Sequence, residues 1–195
     1  MLEKAILLVL LSLPPFYSDK NEPAKGRTAR LEKAARAIAQ AAENSELPTI
    51  PLAAALIQQG YSETKFARYV GEGRCKDGPK GSQCDLDQNG QPRARTYWQT
   101  WKVFCPKAWK LSPGSQDELN AAAECVARTM ERGFRICSSK GLDGWTGAFA
   151  RQRGPAFCTT KKAPARARAR IEIERKLTEF ASSFFNSHPQ RNDCK

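Results

Sequence analysis

Apolar residues recur at steps of three and four along most of the chain, which is the period of an amphipathic helix rather than of a strand. The clearest stretch covers residues 27–43, where Arg, Lys and Gln fill one face and small apolar residues fill the other: Leu31, Ala34, Ala35, Ile38, Ala41 and Ala42. After a break at Pro48 and Pro51, the same period predicts a second helix over residues 52–69. The pattern therefore predicts a mainly helical fold.

Three further helices are predicted in the second half of the chain. Ser115 and Glu118 have the spacing of a capping box ahead of an apolar helical stretch. Asp143 can cap a short helix, and a last helix begins after Pro164 and ends at about Phe185.

Residues 71–95 interrupt the helical pattern with Gly, Pro, Asp and Asn. Asn89 followed by Gly90 is typical of a tight turn, so we expect a loop or a small hairpin here. The stretch that begins at Asp85 also copies the opening of an EF-hand calcium loop, but its twelfth position is Thr96 instead of Glu. We favour a turn stiffened by Asx hydrogen bonds over a calcium site.

Residues 1–26 are predicted to be a segment distinct from the body of the protein. The apolar run from Ala5 to Leu13 resembles the core of a secretory signal, but Glu3 offsets Lys4 and no A-x-A cleavage pattern follows. The run is also too short for a membrane span, which needs about 20 residues. Two interpretations stay open: a signal-like or membrane-engaging segment, and, as we favour, a first helix that docks onto the body or onto a partner.

The chain is strongly basic, with 32 Lys and Arg against 20 Asp and Glu among its 195 residues and a net charge of +12. This charge favours polyanionic partners such as nucleic acid, anionic lipid or an acidic wall polymer. In the densest basic stretch, residues 161–176, Glu172 and Glu174 lie four residues from basic side chains and offset part of the charge. No motif of a nucleic-acid-binding domain accompanies the stretch, so we expect no sequence-specific nucleic-acid partner.

The histidine and the cysteines limit the kinds of catalytic and metal sites that the chain can form. The single histidine, His188, lies in a polar tail that we interpret as solvated, and its isolation excludes an HExxH helix or a histidine-rich zinc site. The seven cysteines form no CxxC pair. Disulfides are favoured over free buried thiols, with Cys75–Cys84, Cys105–Cys125 and Cys137–Cys158 as neighbouring pairs and Cys194 left over. We expect neither a metal nor a cofactor, so catalysis would depend on carboxylates.

Glu63 is the main candidate for such chemistry. It lies in the last part of the predicted helix 52–69, and its helical neighbours are apolar or small: Leu56, Gly60 and Phe66. A carboxyl group that loses hydration there can hold a proton near neutral pH and act as a general acid. The alternative is a structural pair with a nearby basic residue, Lys65 or Arg68.

With Glu63 and Phe66 in one motif and Gln99 in a second, the chain resembles the lysozyme and lytic transglycosylase superfamily, of the goose or SLT-like type. In that superfamily an E-S-x-F type motif carries the catalytic Glu at a helix end, a loop or hairpin follows, and a G-x-x-Q type motif lines the sugar groove. Here Thr64 replaces the Ser and Thr96 replaces the Gly. A third motif, Y-N-A-G, corresponds to residues 149–154, with Arg151 at the Tyr position. The resemblance covers about residues 27–158.

The resemblance implies a mainly α, lysozyme-like domain over residues 27–195, with a small hairpin beside an active-site cleft. It implies cleavage of peptidoglycan at the β-1,4 bond from N-acetylmuramic acid to N-acetylglucosamine, with Glu63 protonating the leaving oxygen. A second carboxylate would come from Asp85 or Asp87, or the substrate's acetamido group would replace it. Gln99, Trp98, Tyr97 and Arg151 would bind the sugar. The alternatives are that the two aspartates only build the turn, and that the two aromatic rings only pack in the core.

The implied site of action is outside the cytoplasm, in the periplasm or cell envelope, reached by export or in a phage particle. The apolar first segment would then attach the enzyme to a virion-tail or envelope partner. Two rival functions stay open. One is a non-catalytic lysozyme-like assembly protein in which Glu63 makes a structural salt bridge. The other is a basic polyanion-binding module that depends on residues 161–176.

Overall fold

A computed structural model of the protein describes residues 1–77, 85–152, 158 and 161–187. Its helices are α1 (Leu2–Ser12), α2 (Ala24–Glu43), α3 (Thr49–Thr64), α4 (Arg68–Gly71), α5 (Pro106–Trp109), α6 (Gln116–Ser138), α7 (Gly144–Arg151) and α8 (Ala163–Ser187). Strands β1 (Ala94–Arg95) and β2 (Thr100–Trp101) pair antiparallel, with Ala94 opposite Trp101 and Arg95 opposite Thr100. The predicted mainly helical fold with a small hairpin is confirmed.

Helix α3 is the central element of the core. Every residue from Leu52 to Ile57 is fully buried, which is typical of a helix covered on all sides. Helices α2, α6 and α8 surround it, and α7 packs across α6 and α8. The C-terminal end of α3, which carries Glu63, is therefore held by the rest of the fold.

Helices α6 and α7 cross in direct backbone contact at two glycines. A Cβ atom on Gly133 would lie 2.5 Å from the carbonyl oxygen of Gly147, and one on Gly147 would lie 2.7 Å from the carbonyl oxygen of Gly133. Neither position has room for a larger residue unless the helices separate.

Helix α1 packs on α2 and α8, and its buried residues belong to the same hydrophobic core as theirs. Arg27 caps its C-terminal end by donating hydrogen bonds to the carbonyl oxygens of Leu11 and Leu13, at 3.2 and 2.8 Å. The large apolar side chains that stay exposed here are Leu8 of α1 and Met1, which precedes the helix. Within the described ranges, no helix has the length and apolar character needed to cross a membrane.

The predicted helix over residues 52–69 is wrong at its C-terminal end. Helix α3 stops at Thr64 because Lys65 and Phe66 adopt left-handed backbone conformations, with φ of 50° and 52°. The Phe66 ring folds back over Gly60, where an added Cβ would lie 2.7 Å from the ring. The chain then starts again as the short helix α4.

Both predicted helix caps are present. The Ser115 hydroxyl accepts a hydrogen bond from the Glu118 N–H at 3.1 Å, and the Asp143 carboxylate accepts one from the Thr146 N–H at 3.0 Å. The return half of the capping box differs from the pattern, since the Glu118 carboxylate accepts from the N–H of Gly114 instead of that of Ser115.

Two of the predicted disulfides, Cys105–Cys125 and Cys137–Cys158, are confirmed. The first joins the start of α5 to α6, and the second joins the end of α6 to the segment that follows α7. Cys84, Cys194 and His188 lie outside the described residues, so the predictions made for them stay predictions.

Candidate active site

A cleft of about 430 Å³ opens between the hairpin and the helices α3, α6 and α7. Four of the predicted site residues line it: Glu63, Trp98, Gln99 and Arg151. The motifs at residue 63, at residue 99 and at residue 151 thus contribute to one cavity. The predicted Tyr97, Asp85 and Asp87 do not line it.

Glu63 is the next-to-last residue of α3, and the end of this helix is tied to the hairpin. The Thr64 hydroxyl bonds to the carbonyl oxygens of Gly60 and Tyr97, at 3.1 and 2.9 Å. Thr64 is fully buried, so these bonds are shielded from water. They fix the position of Glu63 relative to the Gln99 turn.

A buried ion pair supports the left-handed turn that follows Glu63. Arg30 donates to both carboxylate oxygens of Glu22, at 3.0 and 2.6 Å, and to the carbonyl oxygen of Phe66, at 2.6 Å. The side chains of Arg30 and Glu22 are only 8% and 3% exposed. This network holds the backbone in a conformation that non-glycine residues rarely adopt.

The carboxylate of Glu63 is bound by a residue from the far end of the chain. Its Oε1 accepts a hydrogen bond from Arg166 of α8 at 2.7 Å and one from Gln59 at 3.2 Å. Arg166 also donates to the Gln59 side-chain oxygen at 2.9 Å. The Oε2 atom of Glu63 makes no hydrogen bond within the described part of the chain.

This contact corrects one sequence-based expectation. The basic partner of Glu63 is Arg166 and not Lys65 or Arg68. The side chains of Glu63 and Arg166 are 27% and 13% exposed, so water screens the pair only in part.

Gln99 lines the cleft and, in the described part of the chain, has one hydrogen-bond donor without a partner. Its Oε1 accepts from the Asp85 N–H at 3.3 Å, while its buried Nε2 has no partner among the described residues. Gln99 and Thr96 have positive φ angles of 52° and 63°. Thr96 thus adopts a glycine-like conformation where the superfamily motif has Gly.

The two aromatic residues before Gln99 have different surroundings. Trp98 lines the cleft, and its indole N–H donates to the Leu56 carbonyl oxygen at 2.9 Å. Tyr97 is fully buried, and burial raises the pKa of its hydroxyl. The prediction that Tyr97 binds sugar is wrong, because its ring packs on Phe66 inside the core.

The two aspartates of the hairpin region build the turn. Asp87 Oδ1 accepts hydrogen bonds from the N–H groups of Asn89 and Gln91, both at 2.8 Å, as in an Asx turn. Asp85 is exposed and accepts from the Arg93 N–H through its backbone carbonyl. Their expected catalytic role is not supported, since neither lines the cleft. Over the described ranges, His, Cys, Asp and Glu form no group of three or more that could hold a metal ion.

Sequence reasoning missed two aromatic residues and one arginine of the cleft. Trp101 and Phe104, which are 46% and 51% exposed, line it directly after the Gln99 turn, and Arg132 of α6 lines it from the opposite side. The sequence does show these two aromatic residues within five positions of Gln99. The helical pattern of α6 gives no reason to single out Arg132.

Comparisons with protein-family models, with curated protein sequences and with solved structures each find no match. The resemblance to lysozymes and lytic transglycosylases therefore stays a prediction that rests on the motifs around Glu63 and Gln99.

Proposed function

We propose that this protein cleaves peptidoglycan strands at the β-1,4 bond from N-acetylmuramic acid to N-acetylglucosamine, as a muramidase or a lytic transglycosylase. The observation that carries the proposal is the placement of Glu63 in a cleft of about 430 Å³, beside the unpartnered amide of Gln99 and between elements that also supply aromatic rings. A carboxyl group, an amide donor and flat apolar surfaces are what a glycan-cleaving cleft requires.

The cleft residues can hold an N-acetylated sugar by two kinds of contact. The rings of Trp101 and Phe104 offer apolar faces on which the C–H faces of a pyranose can pack. Gln99 lines the same cleft, and a rotation of its side chain would expose Nε2 as a donor to an acetamido carbonyl oxygen. Since Nε2 is buried without a partner in the described ranges, such a rotation would end a costly arrangement.

Glu63 would serve as both acid and base. Its Oε2 delivers a proton to the leaving glycosidic oxygen as the C1–O bond breaks, and the resulting carboxylate then accepts a proton. That proton comes from water in a hydrolase, or from the C6 hydroxyl of the muramic acid residue in a transglycosylase. Among the described residues that line the cleft, Glu63 is the only acid, so the substrate's own acetamido oxygen is the group that can stabilise the positive C1.

Arg166 also bears on this chemistry. The hydrogen bonds from Arg166 and Gln59 hold Oε1 of Glu63, while Oε2 has no partner among the described residues. The contact on α8 therefore orients the carboxyl group in the cleft.

The disulfides among the described residues fit the proposed site of action. Disulfides are typical of proteins that fold in an oxidising compartment, so they suit a protein that acts in the periplasm or envelope after export, or from a phage particle. Because α1 buries most of its apolar side chains within the protein, a virion-tail or envelope partner would meet mainly Met1 and Leu8 there.

The ion pair of Glu63 favours a second candidate, a lysozyme-like protein without catalytic activity. In that case, Arg166 and Gln59 would hold Glu63 as a structural link between α3 and α8. The cleft would then bind a glycan or remain unused, and removal of the Glu63 charge would change stability alone.

The release of soluble fragments from purified peptidoglycan tests the proposal. We expect wild type to solubilise it and Glu63→Gln, which keeps the size and hydrogen-bonding capacity of the side chain, to lose this activity. Glu43→Gln is the matched control, because Glu43 ends α2 on the exposed surface. Equal activity of wild type and Glu63→Gln would overturn the proposal and favour the non-catalytic candidate.

A further inference from the structure

Two arginines from different helices are brought together at the cleft. Arg132 of α6 and Arg151 of α7 both line it. The two helices are close at this point, because a Cβ atom on Gly133, the residue after Arg132, would lie 2.9 Å from the Cβ of Arg151.

Neither arginine has an acidic partner among the described residues. No ion pair or hydrogen bond involves either guanidinium among those residues. The nearest acid on α6, Glu131, accepts hydrogen bonds from Ser45 and from the N–H of Glu46. Glu63, the acid within the cleft, already faces Arg166.

Two guanidinium groups that line one cleft without an acidic partner give the cleft a positive potential, which favours the binding of an anion. The planar guanidinium matches the geometry of a carboxylate and can bind it through two parallel hydrogen bonds. The other walls of the same cleft carry aromatic rings and the Gln99 amide, which suit an uncharged sugar.

We propose that Arg132 and Arg151 form a carboxylate-binding subsite, which makes the protein select glycan strands that carry a free carboxylate on the sugar next to the cleaved bond. This inference rests on the proposed function. The carboxylate is that of a muramic acid residue: either its own lactyl group, in strands without peptide, or the peptide attached to that group. Neutral chitin strands lack it and are bound less tightly.

The test measures binding, so that it does not depend on cleavage. Glu63→Gln serves as the parent in every arm, which leaves the substrate intact and keeps the charge around Arg166 constant. Dissociation constants are measured by calorimetry for chitotetraose and for a tetrasaccharide of alternating N-acetylglucosamine and N-acetylmuramic acid without peptide. A third ligand carries the peptide on its muramic acid residues.

We expect the parent to bind one of the muramic acid ligands about tenfold or more tightly than chitotetraose. The double variant Arg132→Gln/Arg151→Gln should lose this preference. The control is Arg128→Gln/Arg135→Gln, which removes the same charge from exposed positions that pair with Glu124 and Glu46. It should keep the preference.

The comparison of ligands identifies the source of the carboxylate. Tighter binding of the strand without peptide assigns the lactyl group, and equal or tighter binding of the peptide-bearing strand assigns the peptide. The subsite is refuted if the parent shows no preference over chitotetraose, or if the double variant and the control lose it equally. The cleavage test of Glu63→Gln does not depend on this binding result. Failure of the subsite can therefore be distinguished from failure of the proposed function.

Discussion

The buried ion pair below the end of α3 gives the sharpest prediction about stability. Arg30→Met keeps a side chain of similar length and removes the guanidinium that binds Glu22 and the Phe66 carbonyl oxygen. Glu22, with a side chain only 3% exposed, is then left as a buried carboxylate without its cation. The left-handed turn after Glu63 loses a hydrogen-bond donor at the same time.

The expected loss follows from the burial of both partners. Removing one partner of a buried ion pair costs about 3–5 kcal/mol. The unpaired Phe66 carbonyl would add about 1–3 kcal/mol if it stayed dry. Because opening of the site lets water reach both groups, we expect a net loss of about 4 kcal/mol in the free energy of unfolding. That is a large share of the roughly 5–15 kcal/mol that stabilises a typical domain.

Urea unfolding followed by tryptophan fluorescence measures this loss. Arg36→Met is the matched control on the same helix, because its pair with Glu3 has a 3.5 Å separation and side chains that are 55% and 42% exposed. It should cost less than about 1 kcal/mol. Arg30→Met/Glu22→Gln should recover part of the loss, since it removes the stranded charge. A loss for Arg30→Met no larger than that of the control would refute the reasoning.

Three further predictions concern the cleft and its frame. Arg166→Gln should lower the free energy of unfolding by about 1–3 kcal/mol in urea unfolding, because the partly buried bonds that link α8 to Glu63 and Gln59 are lost; an unchanged value would show that this contact does not hold α8 to the end of α3. Gly133→Ala should cost about 1–3 kcal/mol in thermal or urea unfolding, because its Cβ would meet the backbone of α7 at 2.5 Å. Gly26→Ala, which has no atom within 4 Å of the added Cβ, is the control and should not destabilise. Cys105→Ser/Cys125→Ser should lower the free energy of unfolding by about 3 kcal/mol, because the bond closes a loop with a sequence separation of 20; an unchanged free energy of unfolding would contradict this.

The helices could be predicted because the sequence patterns that indicate a helix involve residues only a few positions apart. Apolar residues at steps of three and four and a side-chain cap each act within a few positions; the apolar spacing occurs in α2, α6 and α7, and the cap in α6 and α7. The pairing of Cys105 with Cys125 was also accessible, since neighbouring segments commonly pack together. The joining of Glu63 and Gln99 in one cleft was expected from the resemblance, and not from any period.

The details of the site were not predictable, because they depend on backbone strain and long-range contact. Lys65, Thr96 and Gln99 adopt positive φ angles without the glycine that would have signalled a turn. As a result, α3 ends earlier than its apolar period suggests. Arg166 lies 103 positions from Glu63, and its pattern indicates only a charged helix face.

The central claim is that the carboxyl group of Glu63 cleaves glycan strands, and mass analysis of the products tests it most directly. Purified peptidoglycan is incubated with wild type, Glu63→Gln and Glu43→Gln, and the soluble fragments are identified and timed. We predict fragments ending in N-acetylmuramic acid, with a reducing end from a hydrolase or a 1,6-anhydro end from a transglycosylase. Glu63→Gln should form them at least about a hundredfold more slowly than wild type and the control. The same fragments at the same rate from Glu63→Gln, or none from wild type, would contradict the claim.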